Sequence, residues 1–159
     1  MFFNPLYSFF NTLILFLQRK IHFSQDRIGK TIIMDNKQEF TIFREVKIDG
    51  KSTGEKIDYK PALFRVKFLL SGMGTEDNKR FSWIPVPFFI GLPGFRTKLW
   101  TINYKNNYFQ GIYQWDSREY AEKYSRSFAY RFMSGRSVEG TVLFEIIPNT
   151  SLEEYLESL

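Results

Sequence analysis

Residues 95–115 contain two stretches that alternate like β-strands yet carry large apolar side chains at both parities. In 95–104, Trp100, Ile102 and Tyr104 share one parity, while Phe95 and Leu99 take the other. In 108–115, Phe109, Tyr113 and Trp115 oppose Tyr108 and Ile112, and Lys105-Asn106-Asn107 between the two stretches reads as a turn. A sheet with one face in water shows one apolar and one polar face. These strands need cover on both. The clearest helical pattern in the chain, over 117–133, can cover one side only, so the other face is expected to meet a second sheet, supplied by a second copy of the chain.

The remaining sequence supplies the rest of a sheet domain. Thr31 to Met34, a turn at Asp35-Asn36-Lys37, and Glu39 to Ile48 read as a β-hairpin, followed by a polar loop over 49–60. Leu63 to Leu70 alternates Phe64, Val66 and Phe68 against Arg65 and Lys67. Three prolines, Pro85, Pro87 and Pro93, limit 81–93 to short helical or irregular structure. Asp116 or Ser117 opens the main helix, with Ala121, Tyr124, Phe128 and Phe132 as its buried stripe and Glu119–Lys123 and Glu122–Arg126 as pairs on its wet side. Thr141 to Ile147 is a last strand ended by Pro148, and Ser151 with Glu154 caps a short C-terminal helix. The expected organisation is an N-terminal apolar helix over 1–20, a sheet domain over 30–150 that starts with the hairpin, and the helix over 151–159.

The N-terminal segment carries no side-chain charge before Arg19, and 12 of its first 17 residues are Met, Phe, Leu, Tyr or Ile. A signal peptide would want a basic start and a small-residue cleavage site, and neither is present. Eighteen helical residues reach about 27 Å, slightly short of a ~30 Å hydrocarbon core. Phe2, Leu6, Phe9, Leu13, Phe16 and Leu17 recur at three- and four-residue steps, with Asn4, Ser8, Asn11 and Gln18 towards the other face. Arg19 and Lys20 follow directly and would suit phospholipid headgroups. Membrane contact through Phe2, Leu6, Phe9, Leu13, Phe16, Arg19 and Lys20 is one reading; a helix docked by its apolar face on protein is the other. The expected location is cytoplasmic or peripheral to the inner face of the membrane.

Composition narrows the chemistry. Phe, Tyr and Trp make up 30 of 159 residues, enough for a heavy core or a wide apolar pocket. The absence of cysteine excludes thiolate metal sites, disulfides and thiol nucleophiles, and His22 is the only imidazole. No metal site is expected. The net charge of +5 is spread along the chain, with +5 over 61–115 offset by −3 over 116–159, so it does not mark a nucleic-acid tail.

The run Gly91-Leu-Pro-Gly-Phe-Arg-Thr-Lys-Leu-Trp100, with Gln110-Gly-Ile-Tyr-Gln-Trp-Asp116 and the helix at Ala121 and Tyr124, resembles the YdhR-like monooxygenase-type family. That family lies within the dimeric α/β-barrel superfamily that includes antibiotic-biosynthesis monooxygenases. The resemblance covers about 61–150. It implies an α+β fold, with a ferredoxin-like antiparallel sheet carrying helices on one face and pairing with a second subunit through the other. It also implies cofactor-independent oxidation of a lipophilic aromatic or quinone-like small molecule. Trp100, Tyr113 and Trp115 would supply an aromatic cavity; Arg96, Lys98 or Asn103 would supply the polar contact that holds a substrate anion. The same three aromatics also suit plain sheet core, and a non-catalytic lipophile-binding or interaction module is the alternative function.

No cofactor is expected. His22 lies outside the matching region and cannot serve as a haem ligand there, and no glycine fingerprint supports flavin or nicotinamide binding. An RNA-recognition sheet needs a basic residue and spaced stacking aromatics on its third strand, which Gln110 to Trp115 lacks, so no nucleic acid is expected as a partner. The expected partners are a second copy, a lipophilic small molecule and a membrane surface.

Overall fold

The computed structural model describes residues 4–50 and 59–159, so Phe2 and most of the polar loop at 49–60 lie outside the described residues. The chain begins with α1 (Pro5–Leu17), which Asn4 caps by accepting from the Leu6 and Tyr7 amides, with Pro5 in the first turn. Next come β1 (Ile21–Ser24), β2 (Thr31–Ile33) and β3 (Glu39–Ile48). Then follow β4 (Ala62–Phe68), α2 (Thr75–Phe81), α3 (Val86–Phe89), β5 (Phe95–Ile102) and β6 (Phe109–Trp115). The chain closes with α4 (Arg118–Ser125), α5 (Phe128–Ser134), β7 (Leu143–Ile147) and α6 (Leu152–Ser158).

The sheet runs β1-β3-β5-β6-β4-β7, with β2 added on β3, and every paired strand is antiparallel. From β4 onward the chain is strand, helices, strand, strand, helices, strand. The first of these strands lies between the third and the fourth. That is the ferredoxin-like topology. The N-terminal hairpin extends it beyond β5 through β3, and β1, which sequence patterning left as the flank of α1, extends it once more. His22 on β1 is exposed and lies 2.7 Å from Asp49.

Two local expectations are revised. The helix over 117–133 is two helices. Ser117 caps α4 through the Tyr120 amide, and Ser127, with ψ 164°, stops that run and caps α5 through the Tyr130 amide. Glu122 accordingly pairs with Arg118 rather than Arg126, at 2.7 Å. In β5, a register shift between Phe95 and Thr97 turns Phe95 to the same side as Trp100. Parity alone had put them on opposite sides.

Both sheet faces are covered. On one, Phe64, Val66, Phe95, Trp100, Tyr113 and Trp115 pack against Val86, Phe89, Ala121, Tyr124 and Ala129 of α3, α4 and α5. On the other, Leu63, Leu99 and Ile112 are fully buried against Ile32, Met34, Phe40 and Ile42 of the hairpin and Leu152 and Tyr155 of α6. The capping box of Ser151 and Glu154 starts α6, and the Leu152 amide donates to Gln114 Oε1 of β6 at 2.8 Å, which ties the helix to the sheet. The apolar character of this second face is thus accounted for within one chain.

Candidate functional site

The register across three strands sets up the site. Arg44 of β3, Trp100 of β5 and Gly111 of β6 form one row; Val46, Lys98, Tyr113 and, on β4, Phe64 form the next. All project towards the helices. Gly111 makes the room, since a Cβ there would stand 2.9 Å from the Tyr113 ring and 3.4 Å from Lys98 Cε. Lys98 and Tyr113 are direct cross-strand partners, so the amine reaches the phenol without bending either strand.

Lys98 Nζ donates to Tyr113 Oη at 2.6 Å, and Tyr124 Oη donates to the same oxygen at 3.0 Å. The amine sits 4.5, 4.3 and 4.2 Å from the ring centres of Phe89, Trp100 and Tyr113. Tyr124 is held there by α4, whose Ala121 and Tyr124 share the buried side. Phe89 arrives from the short helix α3, which follows Pro85 and is limited to 4 residues.

Behind Trp100 lies a second buried cation. The Arg44 guanidinium stands 3.7 Å from the Trp83 ring centre and 5.2 Å from that of Trp100. It donates to Ser82 Oγ at 2.6 Å and to the Lys79 carbonyl at 3.0 Å. Burial lowers its pKa to about 10. Lys98 is pushed well below the usual lysine range, first by burial and then by the charge of Arg44. Three ring faces favour the ammonium by roughly 0.5–2 kcal/mol each, but complete loss of hydration opposes it more strongly. Burial also raises Tyr113 and Tyr124. Among the described residues, neither Arg44 nor Lys98 has an acidic partner.

A cavity of about 60 Å³ adjoins these groups, with Phe89, Lys98, Trp100, Phe109, Tyr113 and Tyr124 on its inner wall. It has room for no more than a few waters and is smaller than the ~150 Å³ that accommodates a benzene. Its rim is a stacked pair, Phe81 and Phe132, with ring centres 6.2 Å apart and Arg136 lying 4.4 and 4.9 Å over them. An aromatic ligand reaches Lys98 only when that rim moves.

Of the residues selected from sequence, Lys98, Trp100 and Tyr113 meet at this cavity. Trp115 stacks behind Tyr113 at 6.5 Å and packs on Tyr124, so it supports the wall without lining it. Arg96 is clamped by Asp116 through two bonds of 2.5 and 2.7 Å, at the irregular start of β5. Asn103 is buried and accepts from the Lys105 and Asn106 amides, shaping the turn between β5 and β6. Arg65 and Lys67, on the other face, are engaged by Glu145 and Tyr155 and by Gln38 and Tyr108 respectively. Sequence reasoning passed over Tyr124 as helix packing and did not single out Arg44. The signal for Arg44 was a charged residue at the parity of β3 that otherwise holds Phe40, Ile42, Val46 and Ile48. Among the described residues, no group of three or more His, Asp or Glu side chains converges on a metal-sized site.

Among solved structures, the chain is similar to an anthrone oxidase-like protein, at 17% identity and a TM-score of 0.49, over 72% of this chain and 55% of that one. It is also similar to an uncharacterized ferredoxin-fold protein related to antibiotic biosynthesis monooxygenases from Listeria monocytogenes 4b F2365, at 12% identity and a TM-score of 0.49, over 83% of this chain and 93% of that one. The match thus spans about half the length of the anthrone oxidase-like chain. No protein-family model and no curated protein matches the chain.

Proposed function

We propose that the chain is a monooxygenase-like protein whose cavity takes a lipophilic phenol or hydroxyquinone and oxidises it with molecular oxygen, without a cofactor. One observation carries this reading. Two buried basic groups, Lys98 and Arg44, stand in aromatic surroundings without an acidic partner among the described residues. Charges buried in this way are ordinarily paired, so an acidic ligand is the missing partner.

The chemistry follows from the protonation states. Lys98, held largely uncharged, takes the proton of a bound phenol and becomes the ammonium partner of the phenolate. Tyr113 donates its hydroxyl to the same oxygen, and Tyr124 fixes the orientation of Tyr113 through their 3.0 Å bond. An electron-rich phenolate reduces oxygen by one electron, and the two radicals combine at a ring carbon. Loss of water then leaves a carbonyl, so that phenol plus O₂ gives quinone plus H₂O. The exclusion of water by Phe89, Trp100 and Phe109 strengthens the ion pair.

A second reading rests on the cavity's size. At about 60 Å³ it is nearly filled by its own rings, which suits a non-catalytic lipophile-binding or interaction module. Quenching of tryptophan emission by hydroxyquinones, followed by oxygen uptake with each hit, separates the two. The oxidase reading expects uptake that Lys98→Met abolishes and Trp100→Phe reduces. Binding without uptake leaves the module; uptake unchanged in Lys98→Met overturns the role of the amine.

The accompanying proposals concern surroundings. No helix among the described residues is long and apolar enough to cross a membrane, and we place the chain peripherally on one. A homodimer would need a surface other than the face sealed by α6. The exposed pair Leu143 and Phe144 on edge strand β7 is the one we propose, checked by light scattering of Leu143→Lys against the unaltered chain.

A further inference from the structure

The orientation of α1 is the reverse of what a helix on a protein surface adopts. Its polar side chains face inward. Ser8 Oγ donates to the Phe88 carbonyl, Asn11 Nδ2 donates to the Gly91 carbonyl at 2.8 Å, and Thr12 Oγ1 lies 2.7 Å from the Pro87 carbonyl. Pro87 and the short run of α3 leave these carbonyls open, and three hydroxyl and amide groups spaced along one side of α1 satisfy them. Gly91 lies so close that a Cβ there would collide with the α1 backbone. The helix is therefore held at a fixed rotation by these bonds, with Leu15 adding an apolar contact to the core.

Apart from Leu15, its apolar side chains consequently face out. Leu6, Phe10, Ile14 and Leu17 form one exposed stripe and Phe9, Leu13 and Phe16 another, with exposures between 42 and 72%. At 100° per residue the two stripes span about 160° of the helix, against the ~100° that packing on a protein core uses. Trp83 and Ile84, between α2 and α3, are exposed beside them, and Phe9, Leu13, Phe16 and Trp83 share one apolar groove.

We infer that α1 together with Trp83 and Ile84 forms a docking face for an anionic phospholipid bilayer, in which α1 lies parallel to the surface and half immersed. The width of the exposed arc fits immersion rather than one partner helix, which would cover a narrow seam. At 13 residues α1 is about 20 Å long, which suits lying in the interface and not crossing it. Charge agrees. No acidic residue occurs before Asp26, and Arg19 and Lys20 stand at the end of the helix, placed for phosphate headgroups.

The face also borders the cavity. A second apolar groove, lined by Pro5, Ile84, Phe88 and Phe132, runs from the start of α1 to the rim residue Phe132. A lipophile dissolved in the bilayer would reach the rim without crossing water. This route rests on the proposed function; the docking itself does not.

The test is flotation of the full chain with phosphatidylcholine vesicles, with and without phosphatidylglycerol, using brominated acyl chains to quench tryptophan. Expected are flotation with anionic vesicles at least tenfold above neutral ones, and quenching that Trp83→Phe largely removes, because Trp100 and Trp115 are buried. Leu13→Gln with Phe16→Gln alters only exposed positions, so its melting temperature should hold while flotation falls at least tenfold. Arg19→Gln with Lys20→Gln should remove the preference for anionic vesicles. Failure to float with either vesicle overturns the inference, as does flotation that the Leu13/Phe16 pair leaves unchanged. So does a dimer in solution that the same pair dissolves, since a second copy would then cover α1. Lys98→Met should float normally, so a failed oxidation assay and a failed flotation are separable.

Discussion

The two faces of the sheet are equally apolar and differ in how they treat buried charge. On the α6 face, Glu45 is almost wholly buried, yet Arg27 meets it at 2.7 Å and also reaches Glu153 of α6, with Lys47 3.6 Å from Glu45 as well. Leu63, Leu99 and Ile112 are fully buried on the same face. On the helix face, Arg44 and Lys98 are buried among rings with hydroxyls and a carbonyl as partners, and a cavity lies beside Lys98. A face built for stability pairs its ions. The helix face does not, and that contrast is what the proposed function rests on.

Adjacent residues on β5 test the contrast most severely, because Leu99 and Lys98 point to opposite faces. Leu99→Ala should cost about 2–5 kcal/mol in urea unfolding, the transfer and cavity cost of a fully buried leucine. Lys98→Met should cost nothing or stabilise slightly, since it replaces a buried amine that has no acidic partner among the described residues with an apolar chain of similar length. Comparable losses in both would make the helix face ordinary core.

The arginines give the next effect. Arg27→Met leaves Glu45 with only the more distant Lys47 and should cost about 1–3 kcal/mol, the lower part of the range for a buried pair because Arg27 is partly exposed. Arg44→Met gives up two hydrogen bonds and the stacking on Trp83 but strands no opposite charge, so its cost should be smaller, about 1 kcal/mol.

Much of this frame was legible because it is local. The strand alternations, the turn at 105–107, the Ser151–Glu154 box and the Pro5 start of α1 each depend on a few neighbouring residues. Three things were not. The cover of the Leu99 face comes from α6, more than 30 residues downstream of β6, and nothing local to either announces the docking. The rotation of α1 was hidden because periodicity reveals two faces without saying which one meets the protein. Arg96 and Asn103 were plausible beside Lys98 until the irregular start of β5 gave Arg96 to Asp116 and the turn took Asn103. In each case a long-range contact or a one-residue register change overrode a correct local pattern.

The pH dependence of stability sharpens the comparison at smaller cost. Lys98 has a lower pKa folded than unfolded, so the unfolded chain binds more protons between its depressed value and about 10.5. Stability should therefore rise with pH through that window and reach its full value above 10.5. Tyr113 and Tyr124 act oppositely above about 10, where the unfolded phenols ionise and the buried ones do not. Urea unfolding at stepped pH should show a shallow maximum in the alkaline range, and Lys98→Met should flatten its rising side. A rise that persists in Lys98→Met would assign the slope to other groups.

The smallest change is the removal of one hydroxyl from each face. Tyr113→Phe deletes the oxygen shared by Lys98 and Tyr124, while Tyr155→Phe deletes the one that Arg65 reaches at 2.6 Å. Each variant keeps its ring and its packing, so each should lose only about 1 kcal/mol of stability, the net value of a hydrogen bond. The faces should separate in function. Without Tyr113 Oη, a bound phenolate loses a neutral donor at the oxygen that Lys98 deprotonates, and the amine loses the group that aims it. Hydroxyquinone binding measured by tryptophan quenching should weaken about tenfold, which corresponds to ~1.4 kcal/mol. Tyr155→Phe should bind as the unaltered chain does, because Tyr155 stands among the residues that seal the sheet's other face. Equal binding by both variants would remove Tyr113 from the site, and equal weakening would mean that a general loosening of the sheet, and not the cavity, controls the ligand.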